Sequence, residues 1–250
     1  MGAIILHLIN LAILSFLSGI AGTGLGGMSA FLFKNISKRT LSFILEFSGG
    51  LMVSVVYFEI LPEAFDAGGT LNVTLGFFAG ILIMLILDNM IKNLDLFQSS
   101  KYNKGLIKTG IIILIGLSLH NFPEGFAVGA GFQASNDLGF KLLAVILLHD
   151  IPEGIAAAIP IKAGGAKAST AFILTIMTGI PMMIGTIAGS YLGMVSMMFV
   201  PISLGFAGGA MVYVVFCELI PESKKIYAGR FSALGSISGI CCGIMLSIIS

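Results

Sequence analysis

Apolar residues dominate this chain in long runs, and polar residues gather in the short breaks between them. The runs fall at roughly 4–33, 41–65, 71–92, 106–133, 138–161, 168–194, 199–223 and 230–250. Each matches or exceeds the about 20 apolar residues a helix needs to cross a bilayer. Backbone in hydrocarbon must satisfy its own hydrogen bonds, so such runs fold as helices. The pattern therefore predicts an all-α polytopic membrane protein of eight transmembrane helices, with short connections and no soluble domain. Composition strengthens this reading: of 250 residues, 57% are hydrophobic and 10% charged, and the mean hydropathy is +1.05. The 33 glycines suit close helix packing in lipid. A net charge of +1 argues against a nucleic-acid partner.

The basic residues orient the spans. Lys34, Lys38 and Arg39 follow the first run, and Lys92, Lys101, Lys104 and Lys108 lie around the break after the third. Lys162 and Lys167 follow the fifth, and Lys224, Lys225 and Arg230 the seventh. The alternate breaks, near 66–71, 134–138 and 194–199, have only Lys141 nearby. Positive charge stays on the cytoplasmic side, which puts both termini outside. Residues Met1 to Ile5 carry no basic stretch, so the first run is expected to be a retained span rather than a cleaved signal. Cys217, Cys241 and Cys242 lie in apolar runs without a CxxC spacing and are expected to be small buried side chains.

The chain also repeats itself. Gly49 to Glu63 and Gly208 to Glu222 share the skeleton GG-x-MV-x-VV-x-x-E-x-x-PE. A weaker echo joins Leu17-Ser18-Gly19-Ile20 to Met177-Thr178-Gly179-Ile180. With the orientation above, the matched spans run in opposite directions. The expectation is a single transporter domain over 1–250 with 3+2+3 inverted-repeat architecture: repeat 1 at about 4–92, a central helix pair at about 106–161 and repeat 2 at about 168–250. Glu59 and Glu63 would then lie near the outer mouth of a pathway, and Glu218 and Glu222 near the inner one. Plain solvated helix ends would produce the same pattern.

The central pair carries the chemistry. His120-Asn121-Phe122-Pro123-Glu124-Gly125 and His149-Asp150-Ile151-Pro152-Glu153-Gly154 are near copies in mid-span. Each puts a histidine and a glutamate one helical turn apart, on one helix face. An ionisable group at that depth costs about 2.5–3.5 kcal/mol on insertion scales, so four of them imply a function. Imidazole nitrogen and carboxylate oxygen together suit zinc, iron, manganese, cobalt or cadmium. Two carboxylates neutralise one divalent ion. His120, Glu124, His149 and Glu153 are therefore the candidate principal metal site. Asn121 and Asp150 are candidates for a second site, bridged by the glutamates. Pro123 and Pro152 free the carbonyls of Leu119 and Leu148 and predict bends that line a polar cavity.

These paired strings resemble the signature of the ZIP (Zrt/Irt-like protein) family of divalent metal transporters, and the resemblance extends over essentially the whole chain. It implies the same principal site, with the metal as transported substrate rather than cofactor, taken into the cytoplasm across a cell membrane. It also implies a homodimer and an elevator-like motion of spans 1, 4, 5 and 6 against the others. One departure matters. Members often carry glutamate in span 6, in a pattern like SGxxEPxG, where this chain has Thr178-Gly179-Ile180-Pro181-Met182-Met183-Ile184-Gly185. Two dications would meet only Glu124, Asp150 and Glu153, so the second site is expected to be weak or empty. The break between spans 3 and 4 also lacks a histidine-rich tract, which argues against metal sensing there.

Two rival functions remain at this stage, a passive channel and an intramembrane zinc-dependent hydrolase; tight coordination by histidine and glutamate slows release and favours a carrier over a channel. Gly22 to Gly27 matches GxGxxG, but it sits inside an apolar run without a preceding strand, so close helix packing is the better account. An intramembrane zinc-dependent hydrolase would use similar ligands. HExxH is absent, however, and the near-symmetry of the two strings suits passage better than one-sided chemistry.

Overall fold

A computed structural model describes residues 2–33, 36–93 and 104–249. Every described element is helical. The first run forms α1 (Gly2–Gly27) and a short α2 (Ser29–Leu32). The second forms α3 (Lys38–Val55), whose start is capped by Ser37, which accepts from the Thr40 N–H at 3.0 Å. A π-helical turn (Val56–Ile60) then leads into α4 (Leu61–Asn93). The central pair is α5 (Lys104–Ala134) and α6 (Asn136–Ala163), which continue through Pro123 and through Pro152 and Pro160. After them come α7 (Ala168–Met177), α8 (Gly179–Val195), α9 (Phe199–Val214), a second π turn (Val215–Leu219), α10 (Ile220–Ile226) and α11 (Arg230–Ile249).

Six helical stretches among the described residues are long and apolar enough to cross a membrane. One of them, Lys38–Met90, is 53 residues long and takes in two of the predicted spans. The connection expected near 66–71 is a break at Gly69, where φ is 72°. That positive φ is open to glycine at little cost. The break expected between spans 3 and 4, around Lys101, lies outside the described residues.

The helices pack as two groups. In one, α4 lies along α9 and α11 along α3, with α10 closing on α3. In the other, α5 packs on α8, α1 on α6, α7 and α8, and α5 on α6. The groups meet where α5 touches α9 and α3 touches α6. Buried apolar side chains such as Leu45, Met52, Ile60, Leu142, Ile146, Leu204 and Met211 fill the contacts. The glycine run of α1 does the packing expected of it. A side chain on Gly22 would strike Asp150 and the Leu147 carbonyl, and one on Gly26 would strike the Ile151 carbonyl. The cysteines depart from expectation, since Cys217, Cys241 and Cys242 are all exposed. The outer surface of a membrane protein faces lipid, which does not force a small sulfur-bearing side chain inward as water would.

Candidate metal centre

The two strings meet face to face where α5 crosses α6. His120, Asn121 and Glu124 on α5, and His149, Asp150 and Glu153 on α6, are all at most 1% exposed. The pairing is crossed. His120 Nε2 lies 2.6 Å from Glu153 Oε2, and His149 Nε2 lies 2.8 Å from Glu124 Oε1. Each histidine thus engages the glutamate of the other helix, not the one a turn along its own. Asp150 joins them, with Oδ1 at 3.8 Å from His149 Nε2. One donor atom each from Glu124, His149 and Asp150 falls within a 4.8 Å group. A tetrahedral zinc with ligands at about 2.0–2.2 Å has its donors about 3.4 Å apart, so these three would need a small inward shift, and the group does not include His120 or Glu153.

Several donor atoms here have no hydrogen-bond partner among the described residues. They are both oxygens of Asp150, Glu124 Oε2, Asn121 Oδ1 and the Nδ1 atoms of His120 and His149. Buried polar atoms are otherwise almost always satisfied. A cluster of orphaned carboxylate and imidazole atoms in a dry interior is suited to a cation, which would supply what these groups lack.

The other predicted residues divide. Asn121 is buried at the centre, but its Nδ2 is committed to the Thr178 carbonyl at 2.8 Å, which leaves Oδ1 as its one ligand atom. Met182 is fully buried. Its carbonyl fits against Gly125, where a side chain would collide, and its Sδ lies 2.9 Å from where a Cβ on Gly19 would stand. Glu59 and Glu218 hold the same position in the two π turns, and both are half-buried. Glu218 Oε2 lies 3.1 Å from where a Cβ on Gly116 would stand, one turn of α5 before His120. Glu222 pairs instead with Lys225 at 2.9 Å, as a helix-end charge does. Glu63 is half-buried just past the first π turn.

Sequence reasoning passed over two residues. Ser48 of α3 donates to Glu153 Oε1 at 2.6 Å and lies 3.4 Å from the His149 carbonyl. Glu46, two residues earlier, is 2% exposed yet lies outside the centre.

Fold and centre together define an integral membrane protein that buries an imidazole and carboxylate cluster between two proline-bearing helices. Comparison with known proteins makes this specific. The family model for the ZIP Zinc transporter matches residues 98–250. The zinc transporter ZupT of Escherichia coli O127:H6 is 34% identical over 238 residues, covering 91% of this chain and 92% of the relative. ZupT of Streptococcus mutans is 31% identical over 94% of this chain and 95% of its own length, and ZupT of Chlorobaculum parvum 30% over 95% and 94%. The chain belongs to the ZIP family. That family is one of transporters, which sets the hydrolase alternative aside.

Proposed function

We propose that this chain carries divalent cations, zinc foremost, across a cell membrane into the cytoplasm by alternating access, with His120, Glu124, His149 and Glu153 as the principal ligands. The observation that carries the reading is the crossed pair of buried contacts, His120 with Glu153 and His149 with Glu124, beside the partnerless carboxylate of Asp150. Neither helix alone makes a site; a cation is gripped only while α5 and α6 are together. Membership of the ZIP family, and relatives named as zinc transporters, support zinc as the substrate. Iron, manganese, cobalt and cadmium suit the same donors.

The second site, with Asn121 and Asp150, is weak. Three buried carboxylates stand against the four charges of two dications, and Met182 adds none. Eight crossings are our reading of the span count: Lys38–Met90 divides at Gly69, and the 31-residue α5 adds another. The inverted repeat draws support from the packing. Exchanging span 1 with 6, 2 with 7, 3 with 8 and 4 with 5 turns the α4–α9 contact into α11–α3, and α5–α8 into α6–α1. Both π turns also fall at the same point of the repeated strings. Spans 1, 4, 5 and 6 then form the moving group of an elevator, both termini lie outside, and two copies assemble as a homodimer.

Purified protein in liposomes loaded with a zinc-sensitive dye tests this reading. Zinc enters with saturable kinetics, and Glu153→Ala abolishes entry while the variant still elutes as a folded species. Persistent uptake by that variant contradicts the site, and competition among the five metals ranks the substrates.

A further inference from the structure

A carboxylate buried in a spanning helix needs its partners close at hand, and Glu46 on α3 has them. Lys224 Nζ donates to Oε1 at 2.6 Å, Ser223 Oγ to the same oxygen at 3.1 Å, and Ser236 Oγ to Oε2 at 2.9 Å. Ser42, one turn back on α3, extends the network. Its hydroxyl is 2.7 Å from Ser223 Oγ, meets the Ser223 and Tyr227 carbonyls at 3.1 Å each, and bonds Ser232. One connected set of polar side chains thus fastens α3 to α10 and α11. The backbones are pressed together as well: side chains on Gly235 and Gly239 of α11 would strike the Phe43 and Phe47 carbonyls of α3.

Stability alone does not account for such a device. A buried ion pair often holds no better than well-packed apolar side chains, and its best-attested use is to fix register. The register of α3 matters because of Ser48. Two residues along a helix is about 200° around it, so Ser48 faces away from Glu46 and toward α6. There its hydroxyl donates to Glu153 Oε1 at 2.6 Å. That bond holds one carboxylate oxygen and leaves Oε2 turned to His120.

We propose that Glu46 is a positioning residue for the metal centre: anchored by Lys224, Ser223 and Ser236, it sets the register of α3 and so the placement of Ser48 on Glu153. The proposal rests on Glu153 being a zinc ligand. Sliding α3 by a fraction of its 1.5 Å rise per residue would lengthen the Ser48 bond and let the carboxylate turn.

The test is zinc uptake in liposomes by wild type, Ser48→Ala, Glu46→Gln and the double variant. Losing a partner that orients a ligand weakens metal binding by about tenfold or more. Ser48→Ala therefore raises KM about tenfold, and Glu46→Gln, acting one step removed, about threefold, with the maximal rate within about twofold for each. Because both act through one bond, the double variant stays near tenfold instead of reaching about thirtyfold. A wild-type KM for Glu46→Gln overturns the proposal, whether the amount of folded protein is normal or reduced, and so does a double variant whose effects multiply. Should Glu46→Gln fail to reach the membrane, Lys224→Gln removes the same ion pair from its half-exposed end; a raised KM supports the proposal and an unchanged KM overturns it. Glu153→Ala keeps the two ideas apart. If it abolishes uptake while Glu46→Gln leaves KM unmoved, the metal centre stands and only the role of Glu46 falls.

Discussion

Two clusters in this molecule bury carboxylates, and they are built in opposite ways. Around Glu46, every carboxylate oxygen has a donor: a lysine and two serines from two other helices. Between α5 and α6, three carboxylates crowd two histidines, and both oxygens of Asp150 have no partner. The first cluster has each of its carboxylate oxygens partnered within the fold. The second keeps carboxylate oxygens without a hydrogen-bond partner among the described residues, the pattern expected of a cation site. Burial of charge therefore does not mark function by itself; the accounting of partners does.

Substitutions should separate the clusters most sharply in uptake. Glu153→Ala or Glu124→Ala removes both a ligand and the partner of a buried histidine, and zinc uptake should fall at least about a hundredfold. Retention of a tenth of the activity would place the principal site elsewhere. Asp150→Asn keeps the shape and removes one of three crowded charges. Uptake should drop about tenfold while the melting temperature holds or rises, because like charges no longer repel in a dry setting. A fall in melting temperature would show that Asp150 is already satisfied. By contrast, replacing the satisfied pair together, as Glu46→Leu with Lys224→Met, should leave the melting temperature within a few degrees, since apolar packing substitutes for a buried pair. Collapse of that double variant would make the network structural in the plain sense.

Protons sharpen the comparison further. Imidazole and carboxylate must be deprotonated to bind a metal, so acid competes with zinc at the centre. Lowering the pH from 7 to 6 should raise KM about threefold to tenfold, the range for displacing up to one proton. A KM that stays flat over that interval contradicts ligation by histidine. The smallest effect is expected at the membrane edge. Glu222→Gln should change uptake less than about twofold, because its pair with Lys225 is a partly solvated one of little weight. Glu218→Gln should do more, since its side chain reaches α5 one turn from His120.

Much of this was legible in the sequence. The apolar runs fall on helices, the second and third on one helical stretch broken at Gly69, and the two H-x-x-P-E-G strings, HNFPEG and HDIPEG, marked the candidate site because type, spacing and repetition pointed the same way. The crossing of the pairs was not legible: spacing along one helix says that His120 and Glu124 share a face, not that each turns to its counterpart on α6. Glu46 escaped for a related reason. The repeat drew attention to Glu59 and Glu218, which have twins, whereas the position matching Glu46 in the second half is Gly205. Its partners come from α10 and α11, 177 and 190 residues away for Ser223 and Ser236, and only the fold brings them together. Ser48 stands just before a glycine pair and carries no motif that would single it out. The cysteines went astray because burial rules learned in water do not apply where the solvent is lipid.

Diffraction at the zinc absorption edge from zinc-soaked crystals tests the central claim most directly. One strong anomalous peak is expected between α5 and α6, within about 2.0–2.2 Å of donor atoms from His120, Glu124, His149 and Glu153. Bare difference density there with the metal bound elsewhere, or two equally strong peaks, would contradict it.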